Sequence, residues 1–559
     1  MRLLGLMILL WPISVAYAQE TSNPDPNRFS KSFAAFAEQD RDHPLEKRGT
    51  VFVGSSSVRM LDIPKYFPGI VALNRGFGGA HISDVNHYLE QAVLQYEPNT
   101  VVFFCGGNDL WSGKSPAQVR ADFDAFTQRL FDRVPKAKLI VLATRPSPKR
   151  IRIIEQEHQL NALFEAAADR DKRVTYLDGS ASRFLDEAGK PRPELYAEDQ
   201  LHMNHAGYLI WGEIIRPHLR PLFLVGGDIS TLAKIEQLGG TFRHDNDAGD
   251  CIAILRSQGW NCFRLRLFVQ PTMRNAVVQD LPYTLALAKR IKESGAQLLL
   301  NFHYSDTWAD PGHQNKPAAW AGLDFDALVR RVKSYSAETI AAFKAVDVLP
   351  DIVQVGNEIT PGFLWPDGKV YRENDSVEHW SEFTTLLKAA IEGVRQPLDE
   401  TDLVRVMIHI DGGGRRAKTR YFFDRILKHG VQFDVIGQSY YPWWHGTLEE
   451  ARQNLSKTAV AYRKDIVIVE TAYPWRGAQW WANRDNMAWP ITSEGQSTFL
   501  AELADTVRQT AENRGLGIIY WYPEAINVAG MNIWNGGATA IFDEEGNVLP
   551  GAKAMAPAE

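Results

Sequence analysis

The chain has 559 residues, of which 45% are hydrophobic and 11% aromatic, and its formal net charge is −6. This length exceeds what one ordinary hydrophobic core supports, so we expect two domains. The sequence has no basic block of the kind that binds phosphates, which argues against a nucleic acid partner. Three cysteines are too few for a disulfide scaffold. A bridge between Cys251 and Cys262 stays open, because they lie on a predicted helix and the strand after it.

Residues 1–18 have the features of a secretory signal peptide. Arg2 precedes an apolar stretch, and Ala16-Tyr17-Ala18 forms a small-x-small cleavage pattern before Gln19. No other apolar run approaches the roughly 18 residues that a membrane-spanning helix needs. We therefore expect no membrane anchor after signal cleavage, and a protein that is secreted or located in the periplasm. We also expect a monomer.

Residues 19–222 alternate short apolar runs of strand type with amphipathic helical patterns. The predicted strands are 51–53, 70–73, 101–104, 139–142 and 174–177, and the clearest helices are 117–134 and 151–168. This alternation predicts an α/β fold with a doubly wound parallel sheet, in which ligands bind beyond the carboxyl ends of the strands.

Small and polar residues follow these predicted strands. Gly54-Ser55-Ser56-Ser57 follows the first strand, a segment ending in Gly79 follows the second, and Gly106-Gly107-Asn108 follows the third. Asp199 and His202 precede a helix predicted over 204–216. With this spacing, the aspartate can orient the histidine, which can take a proton from a serine hydroxyl, while the Gly79 and Asn108 amides can bind an oxyanion.

These four segments, each after its strand and in this order, resemble the SGNH (GDSL-like) hydrolases. The resemblance implies Ser56 as the nucleophile, His202 as the base and Asp199 as the group that orients the base. It implies Gly79 and Asn108 as oxyanion donors, together with the backbone amide of Ser56. The first block of the family commonly reads Gly-Asp-Ser, whereas this chain has Ser55 in place of the aspartate. The choice of Ser56 over Ser55 and Ser57 depends on this alignment.

Residues 223–559 contain eight further strand-like runs separated by helical patterns, after a short linker that contains Pro217 and Pro221. The runs are 223–227, 262–267, 297–302, 352–356, 404–408, 433–438, 466–469 and 517–521. Eight such strands predict a (β/α)8 TIM barrel, whose C-terminal strand ends meet on one face. Glu358 and Glu470 end the fourth and seventh runs, so two carboxyl groups are expected to meet there, as glycoside hydrolysis requires.

This second domain resembles the endo-β-1,4-galactanases of glycoside hydrolase family 53, a family of retaining barrel enzymes. The segments that carry the resemblance include FRLRLF (263–268), FHYSDTWADPG (302–312), QVGNEI (354–359), IGQSYYPWWHG (436–446) and IVIVETAYPW (466–475). The resemblance implies Glu358 as the acid/base and Glu470 as the nucleophile.

Further residues near the strand ends are predicted to bind the substrate. Arg264 and Arg266 alternate onto one side of the second strand, where one of them could hold Glu470 ionised. Asn357 can bond a sugar hydroxyl, and the sixteen tryptophans of the chain offer flat faces for sugar rings. The other predicted substrate-binding residues are His303, Trp308, Trp443, Trp444 and Trp521.

These patterns predict a secreted bifunctional enzyme that cleaves β-1,4-galactan in pectic arabinogalactan and removes acyl groups, with acetyl expected, from the same or a neighbouring polysaccharide. No cofactor is predicted. The resemblance to family 53 implies that a calcium in a late loop is an option, but no acidic cluster has the spacing of a calcium loop, so metal binding stays open. One alternative is a galactanase whose N-terminal domain is inert and binds polysaccharide. The other is a polysaccharide-binding protein whose first domain is a degenerate hydrolase.

Overall fold

The computed structural model describes residues 21–42, 49–371, 378–481 and 487–556. The chain divides into two compact units, Met1–Leu219 and Arg220–Glu559, close to the boundary predicted at 222/223. The predicted signal peptide lies outside the described residues. Within the described ranges, no helix combines the length and the apolar character needed to cross a membrane.

The first unit is built on a five-stranded parallel sheet with the order β2-β1-β3-β4-β5. The strands are β1 Thr50–Gly54, β2 Ala72–Gly76, β3 Thr100–Phe104, β4 Lys138–Leu142 and β5 Val174–Leu177. The helices are α1 Ser30–Asp42, α2 Ser56–Arg59, α3 Ile63–Tyr66, α4 Ile82–His87, α5 Leu89–Ala92, α6 Gly107–Trp111, α7 Pro116–Arg133, α8 Ile154–Arg170, α9 Gly179–Ser182 and α10 His205–Ile215.

Both faces of this sheet are buried. Successive residues of a strand point to opposite sides, so Val51 and Val53 of β1 pack into one apolar cluster and Phe52 packs into another. Each cluster includes residues of the surrounding helices, as expected for a parallel sheet covered on both sides. The predicted doubly wound sheet is confirmed.

The second strand differs from its prediction. The apolar pattern predicts a strand over 70–73, but β2 runs from Ala72 to Gly76 and includes Asn74 and Arg75. The Asn74 side chain donates to the Val58 carbonyl at 2.7 Å, and Arg75 pairs with Asp40. These partners, which lie far away in the sequence, satisfy the hydrogen-bonding groups of two polar residues inside a strand. The local sequence pattern does not reveal such partners.

The second unit is a closed parallel barrel of eight strands, which confirms the predicted (β/α)8 fold. The barrel strands are β6 Leu224–Asp228, β9 Cys262–Leu267, β10 Gln297–Phe302, β11 Ile352–Val355, β12 Arg405–Ile410, β13 Val435–Ser439, β14 Asp465–Thr471 and β15 Gly515–Trp521, and a separate hairpin is formed by β7 Phe242–His244 and β8 Asp247–Gly249. The helices are α11 Leu232–Gln237, α12 Cys251–Ser257, α13 Leu281–Glu293, α14 Phe325–Ala345, α15 Trp380–Arg395, α16 Arg416–Lys428, α17 Pro442–His445, α18 Leu448–Tyr462, α19 Ser493–Arg508 and α20 Gly551–Ala554.

The interior of the barrel changes from apolar to charged along the strands. An apolar cluster inside the barrel includes the first residues of several strands, such as Leu224, Cys262 and Ile352. Two and four residues beyond Cys262, on the same face of β9, Arg264 and Arg266 are fully buried. The charged layer therefore lies toward the C-terminal strand ends, where barrel enzymes carry their active sites.

All three cysteines are buried and free. Cys262 belongs to the apolar cluster inside the barrel, whereas Cys251 on α12 packs into the cluster between the barrel and its helices. Because the two side chains lie in different layers, the disulfide left open from the sequence does not form.

Candidate active sites

A cavity of about 1310 Å³ opens at the C-terminal ends of the barrel strands. It exceeds the roughly 300–1,000 Å³ of typical small-molecule pockets, so it can accommodate several sugar units. Both predicted catalytic glutamates, Glu358 and Glu470, line it. The other lining residues include His303, Trp308, Asn357, Asp411, Tyr441, Trp444, Trp521 and Trp534.

Glu470 is held by a cation and a hydroxyl group. It is the penultimate residue of β14, at a point where the pairing with β13 shifts register, and such irregularities re-aim side chains. Arg264 Nη1 lies 3.3 Å from Glu470 Oε2, and the Tyr441 hydroxyl donates to Oε1 at 3.0 Å. Burial raises the pKa of Glu470, while Arg264 and Tyr441 oppose that rise. These two contacts favour the carboxylate form.

Among the described residues, no lysine or arginine forms an ion pair with Glu358. It lies three residues beyond β11, with a φ of 48°, and so does not end the strand as predicted. A non-glycine residue in this left-handed region is uncommon and is typical of functional sites. Burial and the negative charge of Glu470 raise the pKa of Glu358 well above its usual value, and a hydrogen bond from Ser439 at 2.5 Å opposes the rise only in part. The protonated form is therefore favoured.

His409 connects Glu358 to the barrel interior. Burial lowers the pKa of His409 well below its usual value, so the ring is neutral. The backbone amide of Glu358 donates to Nδ1 at 3.3 Å, so the proton of the neutral ring is on Nε2, 2.9 Å from Ser439 Oγ. Since Ser439 accepts from His409, its own proton is directed to Glu358. This relay fixes the orientation of the Glu358 carboxyl group.

The two arginines of β9 have different partners. Arg264 Nη1 contacts Glu470 and lies 3.4 Å from Asp228. Arg266 Nη1 lies 3.1 Å from Asp228 and makes no contact of this kind with Glu470. Arg264 is therefore the arginine that can hold Glu470 ionised, and the fully buried Asp228 supplies a counter-charge to both.

Asn357 is occupied mainly by protein partners. Its Oδ1 accepts from Arg264 Nη2 at 2.6 Å, from Gln354 Nε2 at 3.1 Å and from Asn301 Nδ2 at 3.2 Å, and its Nδ2 donates to the Ala309 carbonyl at 2.8 Å. One Nδ2 hydrogen is left for the predicted bond to a sugar hydroxyl. Asn357 thus also aligns Arg264 beneath the cavity.

His303 offers a donor to the cavity that it lines. Burial and the charges of Arg266 and Arg264 lower its pKa well below the usual value. The Ala309 amide donates to Nδ1 at 3.0 Å, so the proton of the neutral ring is on Nε2. That nitrogen is buried and has no hydrogen-bond partner among the described residues. A substrate hydroxyl would satisfy it.

Of the four predicted tryptophans, Trp308, Trp444 and Trp521 line the cavity. Trp308 and Trp521 cover the Arg266 guanidinium, whose Cζ lies 4.6 and 4.8 Å from their ring centroids. Trp444 is 41% exposed.

Trp443 does not line the cavity. It is 5% exposed, and its ring centroid lies 4.6 Å from that of Trp481. The single turn of α17 directs Trp443 into the core and Trp444 toward solvent, which corrects the substrate contact predicted for Trp443.

Sequence reasoning missed several residues of this site, namely Asp228, His409, Ser439, Tyr441 and Trp534. Asp228, His409 and Ser439 lie on β6, β12 and β13. Polar residues near the ends of otherwise apolar barrel strands are a signal that could have identified these three. Among the described residues, no group of three or more His, Cys, Asp or Glu side chains is arranged to hold a metal ion.

In the first unit, the predicted serine, histidine and aspartate are in contact. Ser56 Oγ lies 2.9 Å from His202 Nε2, and His202 Nδ1 lies 2.5 Å from Asp199 Oδ2. Asp199 also accepts from the backbone amides of Leu201 and His202 at 2.9 Å. Partial burial raises the pKa of Asp199, but these contacts together lower it to about 2. The ionised aspartate orients the ring so that Nε2 can take the Ser56 proton.

This geometry distinguishes the three neighbouring serines. The contact with His202 is made by Ser56, the first residue of α2, which follows β1 after a short turn. Ser57 is instead buried beside Arg145, with its Oγ 3.4 Å from both guanidinium nitrogens Nη1 and Nη2.

The two predicted oxyanion donors belong to segments that contact each other. Asn108 Nδ2 donates to the Ala80 carbonyl at 3.0 Å, which ties Asn108 to the segment that contains Gly79. Gly79 has a φ of 83°, and the position where a Cβ would lie is open. Asn108 also lines a cavity of about 40 Å³ together with Ser56 and His202.

Two family models match the chain in separate regions. The model of glycosyl hydrolase family 53 matches residues 224–555, and that of the GDSL-like Lipase/Acylhydrolase family matches residues 61–210. The second match agrees with the SGNH resemblance but begins after Ser56.

Relatives and solved structures cover the barrel. A protein of Niallia circulans, described as uncharacterized and in the bgaB 5′ region, is 42% identical over 60% of this chain and 93% of its own length. A probable arabinogalactan endo-β-1,4-galactanase A of Aspergillus terreus is 35% identical over 55% of this chain and 87% of its own. The family 53 catalytic domain of Ignisphaera aggregans is 33% identical with a TM-score of 0.54, covering 60% of this chain and 95% of that domain. Because the family model matches more than half of the residues, the chain belongs to glycosyl hydrolase family 53.

Proposed function

We propose that the barrel cleaves β-1,4-galactan chains of pectic arabinogalactan with retention of anomeric configuration. The observation that carries this proposal is the unequal environment of two carboxyl groups in one large cavity. Arg264 and Tyr441 favour the anion of Glu470, whereas burial and the charge of Glu470 raise the pKa of Glu358 well above its usual value. Glycoside cleavage by two carboxyl groups needs one of them ionised and one protonated, and the resemblance to the retaining enzymes of family 53 supports retention.

In the first step, Glu470 attacks the anomeric carbon while Glu358 gives its proton to the departing glycosidic oxygen. The glycosyl–oxygen bond breaks, and a glycosyl ester of Glu470 forms. In the second step, the Glu358 carboxylate takes a proton from water, and the resulting hydroxide attacks the same carbon. Glu470 leaves as a carboxylate, so both side chains return to their starting states.

Reducing-end release from galactan tests these roles. Glu358→Gln and Glu470→Gln should each lower kcat by at least a thousandfold, whereas Glu392→Gln on the exposed surface of α15 should not change it. Sodium azide should restore turnover to Glu470→Ala and yield a glycosyl azide of inverted configuration, because the anion attacks from the face that the nucleophile vacates. Activity of Glu470→Gln near the wild-type level would refute the assignment.

We further propose that the first unit is a serine esterase that removes small acyl groups from polysaccharide hydroxyls, with acetyl as the preferred group. Ser56 would attack the ester carbonyl as His202 takes its proton, and the sugar hydroxyl would leave with that proton. Water would then release acetate from the acyl-serine. The cavity of about 40 Å³ beside Ser56 supports a small acyl group, since it has room for only a few water-sized groups.

Hydrolysis of p-nitrophenyl esters of increasing chain length tests this activity. Wild-type protein should hydrolyse the acetate fastest and the octanoate least, and Ser56→Ala should abolish hydrolysis while Ser55→Ala retains it. No hydrolysis by the wild type would favour the alternative of an inert, polysaccharide-binding unit. The hydrogen-bonded Ser56, His202 and Asp199 set favours catalysis over that alternative. The leader predicted at residues 1–18 supports action of both sites outside the cytoplasm.

A further inference from the structure

Arg150 lines the small cavity beside Ser56 but has no part in the proposed serine chemistry. It lies in a short 3-10 helix, Pro148–Ile153, that follows β4, and its own backbone angles depart from helical values. The preceding residue, Lys149, donates its backbone amide to the carbonyl of Gln200 at 3.0 Å. This hydrogen bond ties the short helix to the loop that carries Asp199 and His202.

The guanidinium of Arg150 contacts Asn108, one of the three predicted oxyanion donors, directly. Arg150 Nη2 donates to Asn108 Oδ1 at 2.9 Å, while Asn108 Nδ2 donates one hydrogen to the Ala80 carbonyl at 3.0 Å. With both ends of the amide bound, the amide plane is fixed and the direction of the second Nδ2 hydrogen is set. A hydrogen bond from a cation to Oδ1 also polarises the amide and makes Nδ2–H a stronger donor.

Arg150 is itself held in place from two sides. Its Cζ lies 5.3 Å from the centre of the Trp111 ring. A Cβ on Gly107 would lie 3.7 Å from Arg150 Nη1 and 3.8 Å from Glu157 Oε1, so both charged groups also pack against the first turn of α6, which carries Asn108. Burial raises the pKa of Glu157 to about 7, and the nearby Arg145 and Arg150 oppose the rise. The half-buried Arg150 therefore lies beside a glutamate whose anionic form it favours.

We propose that Arg150 is a positioning residue for the oxyanion hole, which acts by orienting and polarising the Asn108 side-chain amide. This role rests on the esterase function proposed above. It makes Arg150 important for the transition state, in which the oxyanion forms, and not for binding of the ground-state ester.

Kinetics of p-nitrophenyl acetate hydrolysis by the full chain test this role. Arg150→Met should lower kcat by about tenfold to a hundredfold with KM within twofold, since one oxyanion donor is worth roughly a hundredfold to a thousandfold. Arg152→Met is the matched control, because Arg152 belongs to the same short helix and also packs on Trp111, at 3.7 Å, but is exposed. Its kcat should equal that of the wild type. Arg150→Lys should recover part of the loss.

A double-mutant cycle separates positioning from a general structural role. If Arg150 acts through Asn108, adding Arg150→Met to Asn108→Ala should change kcat by less than threefold. Fully multiplicative losses, or a kcat for Arg150→Met within twofold of the wild type, would overturn the proposal while leaving the esterase itself standing. Inactive wild-type protein would refute both. Thermal melting of each variant identifies a loss of folding. If Arg150→Met does not fold, Arg150→Lys alone and combined with Asn108→Ala replaces it, with the same limits on the change in kcat.

Discussion

Glu358 and Glu470 are identical side chains whose neighbours favour different protonation states. Glu470 accepts from Tyr441 and Arg264, whereas Glu358 accepts from Ser439, which belongs to a neutral histidine relay. Each hydroxyl donor favours the anion of its glutamate and therefore lowers that pKa. Removing either donor should shift one limb of the pH–rate profile.

Tyr441→Phe should move the acidic limb of kcat/KM to higher pH. Without the hydroxyl, the pKa of Glu470 rises, so this nucleophile becomes protonated and inactive at a higher pH than in the wild type. A hydrogen bond to a charged group corresponds to a shift of roughly one pH unit. Tyr440→Phe is the matched control, because the Tyr440 hydroxyl donates to the Gly446 carbonyl and not to a glutamate. An unchanged acidic limb in Tyr441→Phe would contradict this reading.

Ser439→Ala should instead move the alkaline limb to higher pH. Loss of the donor destabilises the Glu358 anion and raises its pKa further, so the acid stays protonated over a wider range. The change should again be of the order of one unit, while the acidic limb stays in place. A downward shift of the alkaline limb would mean that Ser439 accepts from Glu358 and stabilises its protonated form.

Among the secondary-structure elements, the single turn of α17 places two adjacent tryptophans in different environments, one buried and one exposed. Trp443→Ala should destabilise the barrel by about 3 kcal/mol or more, because it leaves a cavity among buried rings. Trp444→Ala should leave stability almost unchanged and raise KM for galactan severalfold, because the exposed ring lines the cavity. Chemical denaturation and steady-state kinetics distinguish the two. A raised KM with normal stability in Trp443→Ala would place that ring at the substrate.

The sequence predicts the elements well where local pattern determines them. The runs at 262–267, 297–302 and 174–177 match β9, β10 and β5, since each is a short run with apolar residues at regular positions and clear boundaries. The second strand was displaced because the partners of Asn74 and Arg75 lie far away in sequence.

Residues of the candidate site are likewise predictable only where the nearby sequence determines the partners of a side chain. The pairs Arg264/Arg266 and Trp443/Trp444 could not be resolved from the sequence, because the partner of each side chain is set by the closed barrel and not by its neighbours along the chain. The relay through His409 and Ser439 was missed for the same reason.

At the scale of the whole molecule, the two units have separate cores, so their activities should be separable. Ser56→Ala should abolish ester hydrolysis while leaving kinetics on unacetylated galactan within twofold of the wild type.

On acetylated, galactan-bearing pectin, Ser56→Ala should release fewer reducing ends than the wild type, because an acylated sugar is too bulky for contacts such as that predicted with Asn357. Chemical deacetylation should erase this difference. Equal rates on the acetylated polymer would mean that the esterase acts on another ester.

In the proposed mechanism, the barrel cleaves β-1,4-galactan through a glycosyl ester on Glu470. Proton NMR during the first minutes of wild-type hydrolysis of galactan oligosaccharides tests it most directly, before mutarotation mixes the anomers. The two displacements at one carbon predict that the β-anomer appears first and the α-anomer only later. Initial release of the α-anomer would contradict a covalent intermediate on Glu470 and with it the roles assigned to both glutamates.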